Sequence, residues 1–119
     1  MKEAISIVSN MWIKRMYFEY AGDMMEGHKH TFDHQTLLSY GKFKVCVEGE
    51  CTIYDADESY GLVLFIEKGK DHSIECISDK GLGYCLHPIR DGERVEDIID
   101  PAQMPMMSGS MLDKMRLVE

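Results

Sequence analysis

The sequence predicts an all-β fold, an antiparallel sandwich or small barrel, from alternating apolar and polar residues, the shortness of each run, and the turn residues between runs. Residues 13–20 (IKRMYFEY) set the pattern, with Met16, Phe18 and Tyr20 on one face and Arg15, Tyr17 and Glu19 on the other. Alternation of this kind marks a strand with one buried face. Further strands are expected at residues 37–40, 43–47, 51–54, 62–67, 73–77 and 83–87. Gly41, the Glu48-Gly49-Glu50 turn, a loop over residues 55–61, Gly69 and the Asp79-Lys80-Gly81 turn separate them. Strands that recur about every 8–12 residues belong to sandwiches and barrels.

The two ends are less regular. Ala4, Ile5, Val8 and Met11 fit a helical spacing, while Ile5, Ser6 and Ile7 fit an added edge strand equally well. From Glu93 the pattern loosens around Pro101, Pro105 and Gly109, with methionines at Met104, Met106, Met107, Met111 and Met115. Such a cluster can form a soft binding surface. The reading adopted is a segment over residues 91–119 that wraps the barrel or covers an edge, with a short helix at residues 111–117.

Length and charge narrow the function. A chain of 119 residues has room for one domain, with its core over residues 12–90. Twenty-one acidic against 13 basic residues give a formal charge of −8. That charge repels phosphate backbones and anionic lipid, so neither nucleic acid nor a membrane is an expected partner. The longest apolar run, residues 62–66, falls far short of the roughly 20 residues of a membrane helix. The first sixteen residues mix polar groups through any apolar core, unlike a signal peptide, and a cytoplasmic location is expected. Cys46, Cys51, Cys76 and Cys85 show no CxxC spacing and fall in expected strands, so they are read as reduced core fillers.

Three of the five histidines, His28, His30 and His34, lie within GHKHTFDHQTLLSYG. Residues two apart on a strand share a face, so His28 and His30 can address one cation, and the residues after them can turn the chain back at His34. His72 comes from a distant segment. Neutral imidazoles converging from separate elements suit a transition metal. Each histidine alone fits a surface or satisfied core role as well.

The wider spacing resembles the cupin superfamily. The first cupin motif is a glycine, five residues, H-x-H, three or four residues, glutamate, six residues and a glycine. Here Gly22, His28-Lys29-His30, His34 and Gly41 keep every interval, with His34 in the place of glutamate. At the places of the second motif stand Gly61, Glu67, Gly69, His72 and Cys76. Both glycines and the histidine match; the family's proline and asparagine do not.

The resemblance implies a jelly-roll barrel, usually dimeric, that holds one divalent transition metal: iron, manganese, nickel, copper or zinc. The ligands it carries over are His28, His30 and His72, with His34 as the fourth. Gln35 competes for that place, because the family also tolerates four intervening residues; imidazole is the better ligand. A fourth imidazole in place of a carboxylate leaves the site one charge more positive, a stronger Lewis acid that attracts anions. It also removes a ligating carboxylate that might serve as a base. The implied function is a metal-dependent enzyme of dioxygenase, isomerase or lyase type acting on a small polar or anionic molecule. The alternatives are a non-catalytic small-molecule or metal-binding module and a scaffold with structural metal. Tyr40, Tyr54, Tyr84, His87 and Arg90 are candidate proton donors or substrate anchors, and each also fits a structural role.

Overall fold

A computed structural model describes residues 1–28, 34–67 and 69–89, with residues 26–28 and 34 described by backbone alone. The described residues form nine strands and no helix. These are β1 (Lys2–Val8), β2 (Met11–Phe18), β3 (Met24–His28), β4 (His34–Tyr40), β5 (Lys42–Val47), β6 (Glu50–Asp55), β7 (Leu62–Ile66), β8 (His72–Cys76) and β9 (Gly81–Pro88). They make a five-stranded sheet in the order β1-β2-β9-β4-β7 and a four-stranded sheet in the order β3-β8-β5-β6, with antiparallel pairing throughout. This is the expected jelly roll. No described strand pair joins the sheets by hydrogen bonds, so it is an open sandwich rather than a closed barrel.

The N-terminal segment takes the strand alternative. Ile5 and Ile7 are buried, and β1 pairs with β2 from Lys2↔Tyr17 to Val8↔Met11. Ser9 and Asn10 make the two-residue turn, both at positive φ, which matches the twist of the strands on either side. On β2 the inward face carries Trp12, Lys14, Met16 and Phe18. Lys14 is a cation on an apolar face, 5% exposed, and Glu3 of β1 meets its ammonium at 3.2 Å. The alternating run stops at Phe18, and Tyr20 is exposed. There the Asp23 carboxylate accepts hydrogen bonds from the N–H groups of Glu19 and Tyr20 and lies 3.3 Å from the Met1 ammonium.

The core lies between the sheets, with Trp12, Met16, Phe18, Leu38 and Cys85 from one and Met25, Phe43, Val45, Ile74 and Cys76 from the other. At one end Phe18 and Phe43 pack edge to face, their centroids 5.2 Å apart. Gly41 turns the chain at that end with φ 104°, and a Cβ there would stand 2.7 Å from the Lys80 carbonyl oxygen. No other residue fits that place.

The cysteines split into two kinds, which corrects the reading of all four as reduced fillers. Cys76 and Cys85 are free and buried, but Cys46 and Cys51 form a disulfide. The reason is the turn. It spans two residues, Glu48 and Gly49, both at positive φ, rather than three, so Val47 pairs with Glu50 and Cys46 with Cys51. The C-terminal segment of residues 91–119, its helix and its methionines lie outside the described residues.

Candidate metal centre

Strand registers bring the histidine positions to the end of the sandwich opposite the phenylalanine pair. β8 begins at His72, 1% exposed, and alternation carries Ile74 and Cys76 inward beyond it. β8 runs between β3 and β5, so His72 lies opposite His28 on one side and Val47 on the other. A bulge makes the first of these pairings. Met24↔Glu75 and Met25↔Ile74 would continue to Gly27↔His72, and the shift before His28 puts His28 there instead.

In the five-stranded sheet, β4 begins at His34, opposite Ile66 of β7. Thr36 and Leu38 are buried, and Gln35 alternates with them, opposite exposed Phe65. Gln35 therefore belongs to the outer face. The pairs Gln35↔Leu86 and Thr36↔Cys85, carried one step further, set the His34 backbone opposite that of His87, which is fully buried. His30 and Arg90 lie outside the described residues. Among the described residues no three His, Cys, Asp or Glu side chains gather as a metal site, and His30 and the side chains of His28 and His34 are not among them.

His72 itself suits a metal. Its Nδ1 lies 3.3 Å from the Lys70 carbonyl oxygen. A carbonyl can only accept, so Nδ1 carries a proton and donates it, and this bond fixes the orientation of the ring. Metal-bound imidazoles are oriented in this way, by a hydrogen bond from the other ring nitrogen. A buried, oriented imidazole opposite a second histidine position fits a divalent transition ion.

A cavity of about 630 Å³ opens beside this end, between the β5–β6 hairpin and β7. Val45, Val47, Tyr54, Leu64 and Ile66 form much of its wall, and Glu48, Glu50 and Lys70 supply its charges. Val47 and Ile66 are the cross-strand partners of His72 and His34. The Glu48 carboxylate is engaged by the N–H of Asp71. The tyrosine candidates disperse. Tyr54 lines the cavity, and Tyr84 lines a separate groove of about 440 Å³ with Arg15 and Tyr17 on the outer face of the five-stranded sheet. Tyr40, two residues after buried Leu38, is nevertheless 39% exposed, because the register shifts between the two. Sequence reading passed over Val47 and Ile66. Their signal was parity along the strand, which became usable only once the pairings were known.

Solved structures supply the comparison. An RmlC-like cupin with a double-stranded β-helix fold from Methanocaldococcus jannaschii superposes with a TM-score of 0.61 at 13% identity, over 74% of this chain and 81% of that one. The chain has the cupin fold. KdgF from a Halomonas species gives a TM-score of 0.59 at 21% identity, over 75% of this chain and 79% of its own. A cupin superfamily protein from Desulfitobacterium hafniense gives 0.59 at 15%, over 73% and 74%. No protein-family model and no curated protein matches the sequence. In cupin terms, His28 and His30 stand at the H-x-H of the first motif and His72 at the histidine of the second. The likeness to solved structures shows the fold; the expectation of histidine ligands rests on motif spacing.

Proposed function

We propose that this cupin binds one divalent transition metal through His28, His30, His34 and His72 and acts on a small polar or anionic molecule held in the adjoining cavity. The observation that carries the reading is the environment of His72: buried, with its Nδ1 proton committed to the Lys70 carbonyl, and opposite His28 across two strands. A metal held by neutral imidazoles would supply Lewis acidity, which suits dioxygenase, isomerase or lyase chemistry. Two glutamates against one lysine around the cavity give an anion little welcome from the protein itself. Attraction of a carboxylate would therefore fall to the metal's own charge. Tyr54 is the cavity-lining hydroxyl among the candidates, placed to hydrogen-bond a ligand.

A homodimer accords with the exposed apolar side chains of edge strand β7, where Val63 and Phe65, at the rim of the cavity, are 62% and 61% exposed. Light scattering of the purified chain tests it, and a monomer at micromolar concentration refutes it.

The test of the metal reading is elemental analysis of the purified protein beside its His30→Ala and His72→Ala variants. The expected result is one transition ion per chain in the parent and loss of stoichiometric metal in both variants, with strand content retained. Full occupancy in both variants refutes the assignment. Oxygen consumption with iron(II), or turnover in a screen of small carboxylates and sugars, separates the enzyme from a binding module. The module would show thermal stabilisation by ligand without turnover.

A further inference from the structure

We infer that Cys46–Cys51 is a reversible thiol–disulfide site, addressed by dithiol reductants, whose oxidation state sets the rigidity of the cavity's outer wall. The bridge crosses the β5–β6 hairpin one step from its turn, and Cys51 is exposed. β6 is an edge strand whose strand partner is β5, and its residues are exposed from Glu50 to Ile53. Pairing with β5 and the bridge therefore hold it in place, with little burial to help. Yet Glu50, Thr52 and Tyr54 of that strand line the cavity, as do Val45, Val47 and Glu48 before it. On its other side β5 pairs with β8, where Cys46 meets Ser73 and Val47 meets His72. The bridge thus lies one residue from the strand position that faces the candidate metal ligand.

The two remaining cysteines make the site selective. Burial pushes the Cys85 thiol up to about 11, against weaker opposition from the Thr36 hydroxyl. Cys76 is buried and likewise raised. Thiols of that kind are poor nucleophiles at neutral pH, so exchange is confined to the hairpin. A thiolate of the dithiol attacks the exposed sulfur of Cys51 and expels Cys46 as thiolate. The dithiol's second thiolate then breaks the mixed disulfide and frees Cys51. Two electrons and two protons pass to the protein, and the reductant leaves as its own disulfide. The reverse exchange, with an oxidised dithiol, restores the bridge.

The effect on ligand binding rests on reading the cavity as the ligand site; the change in the hairpin does not. The experiment is hydrogen–deuterium exchange on the full chain, air-oxidised and after dithiothreitol, with iodoacetamide labelling under native conditions in parallel. Oxidised protein should take up no label, and reduced protein should label at Cys46 and Cys51 alone. β6 amides should exchange at least about tenfold faster after reduction, since the closed loop is lost from the open state's constraints. Those of the β1–β2 hairpin should not change. The Cys46→Ser/Cys51→Ser double variant should exchange at the reduced rate in both conditions. Equal β6 exchange in the two states, or labelling of Cys46 and Cys51 in the oxidised native protein, overturns the proposal. His72→Ala should keep the full redox difference, so failure of the metal reading and failure of this one are distinguishable.

Discussion

The two ends of the sandwich are built by opposite means. At the phenylalanine end, Phe18 and Phe43 pack edge to face, and a Cβ on Gly81 would come 2.5 Å from the Phe43 ring. Shape sets the packing between the sheets at that end, and little there can be exchanged. At the other end the buried side chains include Trp12, His72 and His87, and a cavity opens beside them. Polar groups buried there need partners, such as the Lys70 carbonyl for His72, so hydrogen bonding sets orientation where packing is looser. One end holds the sheets together, which leaves the other able to carry chemistry.

That contrast can be broken by mutation, with the largest effect at the packed end. Phe43→Ala should cost about 3–5 kcal/mol of stability in urea unfolding, from lost burial plus an unfilled cavity. Metal stoichiometry of the molecules that remain folded should not change. A loss below about 1 kcal/mol would mean that the end relaxes and is not set by shape.

Midway between the ends, Lys14 and Glu3 sharpen the comparison. Their side chains are 6% and 19% exposed, so Glu3→Gln leaves a cation in an apolar wall without its counter-ion. The expected loss is about 1–3 kcal/mol. Adding Lys14→Met should recover most of it. If the single variant is as stable as the parent, the pair contributes nothing.

The smallest effect lies on the rim of the phenylalanine end, at the Met1–Asp23 contact. Desolvation alone would raise the Asp23 carboxyl, but hydrogen bonds from the backbone of Glu19 and Tyr20 and the Met1 ammonium outweigh it and hold it below 3.8. The hydrogen bond to Asp23 in turn raises the Met1 ammonium above 8.0, against desolvation. Stability from Asp23 is complete above 3.8 and is lost as pH falls through its depressed value. Stability from Met1 is complete below 8.0 and is lost as pH rises through its raised value. Asp23→Asn should flatten the urea midpoint against pH at both extremes. An unchanged profile would show that solvent screens the contact fully.

How much of this was legible beforehand follows a physical line. β2, β5, β8 and β9 were readable because each alternates locally, and Ile74 and Cys76 follow His72 inward by parity alone. The motif intervals around His28, His34 and His72 were readable for the same reason. Whether Ile5 and Ile7 belonged to a helix or a strand was not, since Ile5 fits a helical set with Ala4, Val8 and Met11 and a strand with Ile7 until a neighbour pairs with it. Tyr40 left the side of Leu38 because of a register shift, and β3 met His72 at His28 because of another.

Local alternation and interval are properties of the chain, so the sequence by itself determined the β class, the positions of β2 and of β4 to β9, and the spacing of the histidines. Register is not such a property. A single residue more or less in a turn or bulge reassigns every cross-strand partner after it. Only the tertiary structure could therefore decide that Cys46 meets Cys51, that His28 pairs in register with His72, and that the strand of His34 runs beside that of His87.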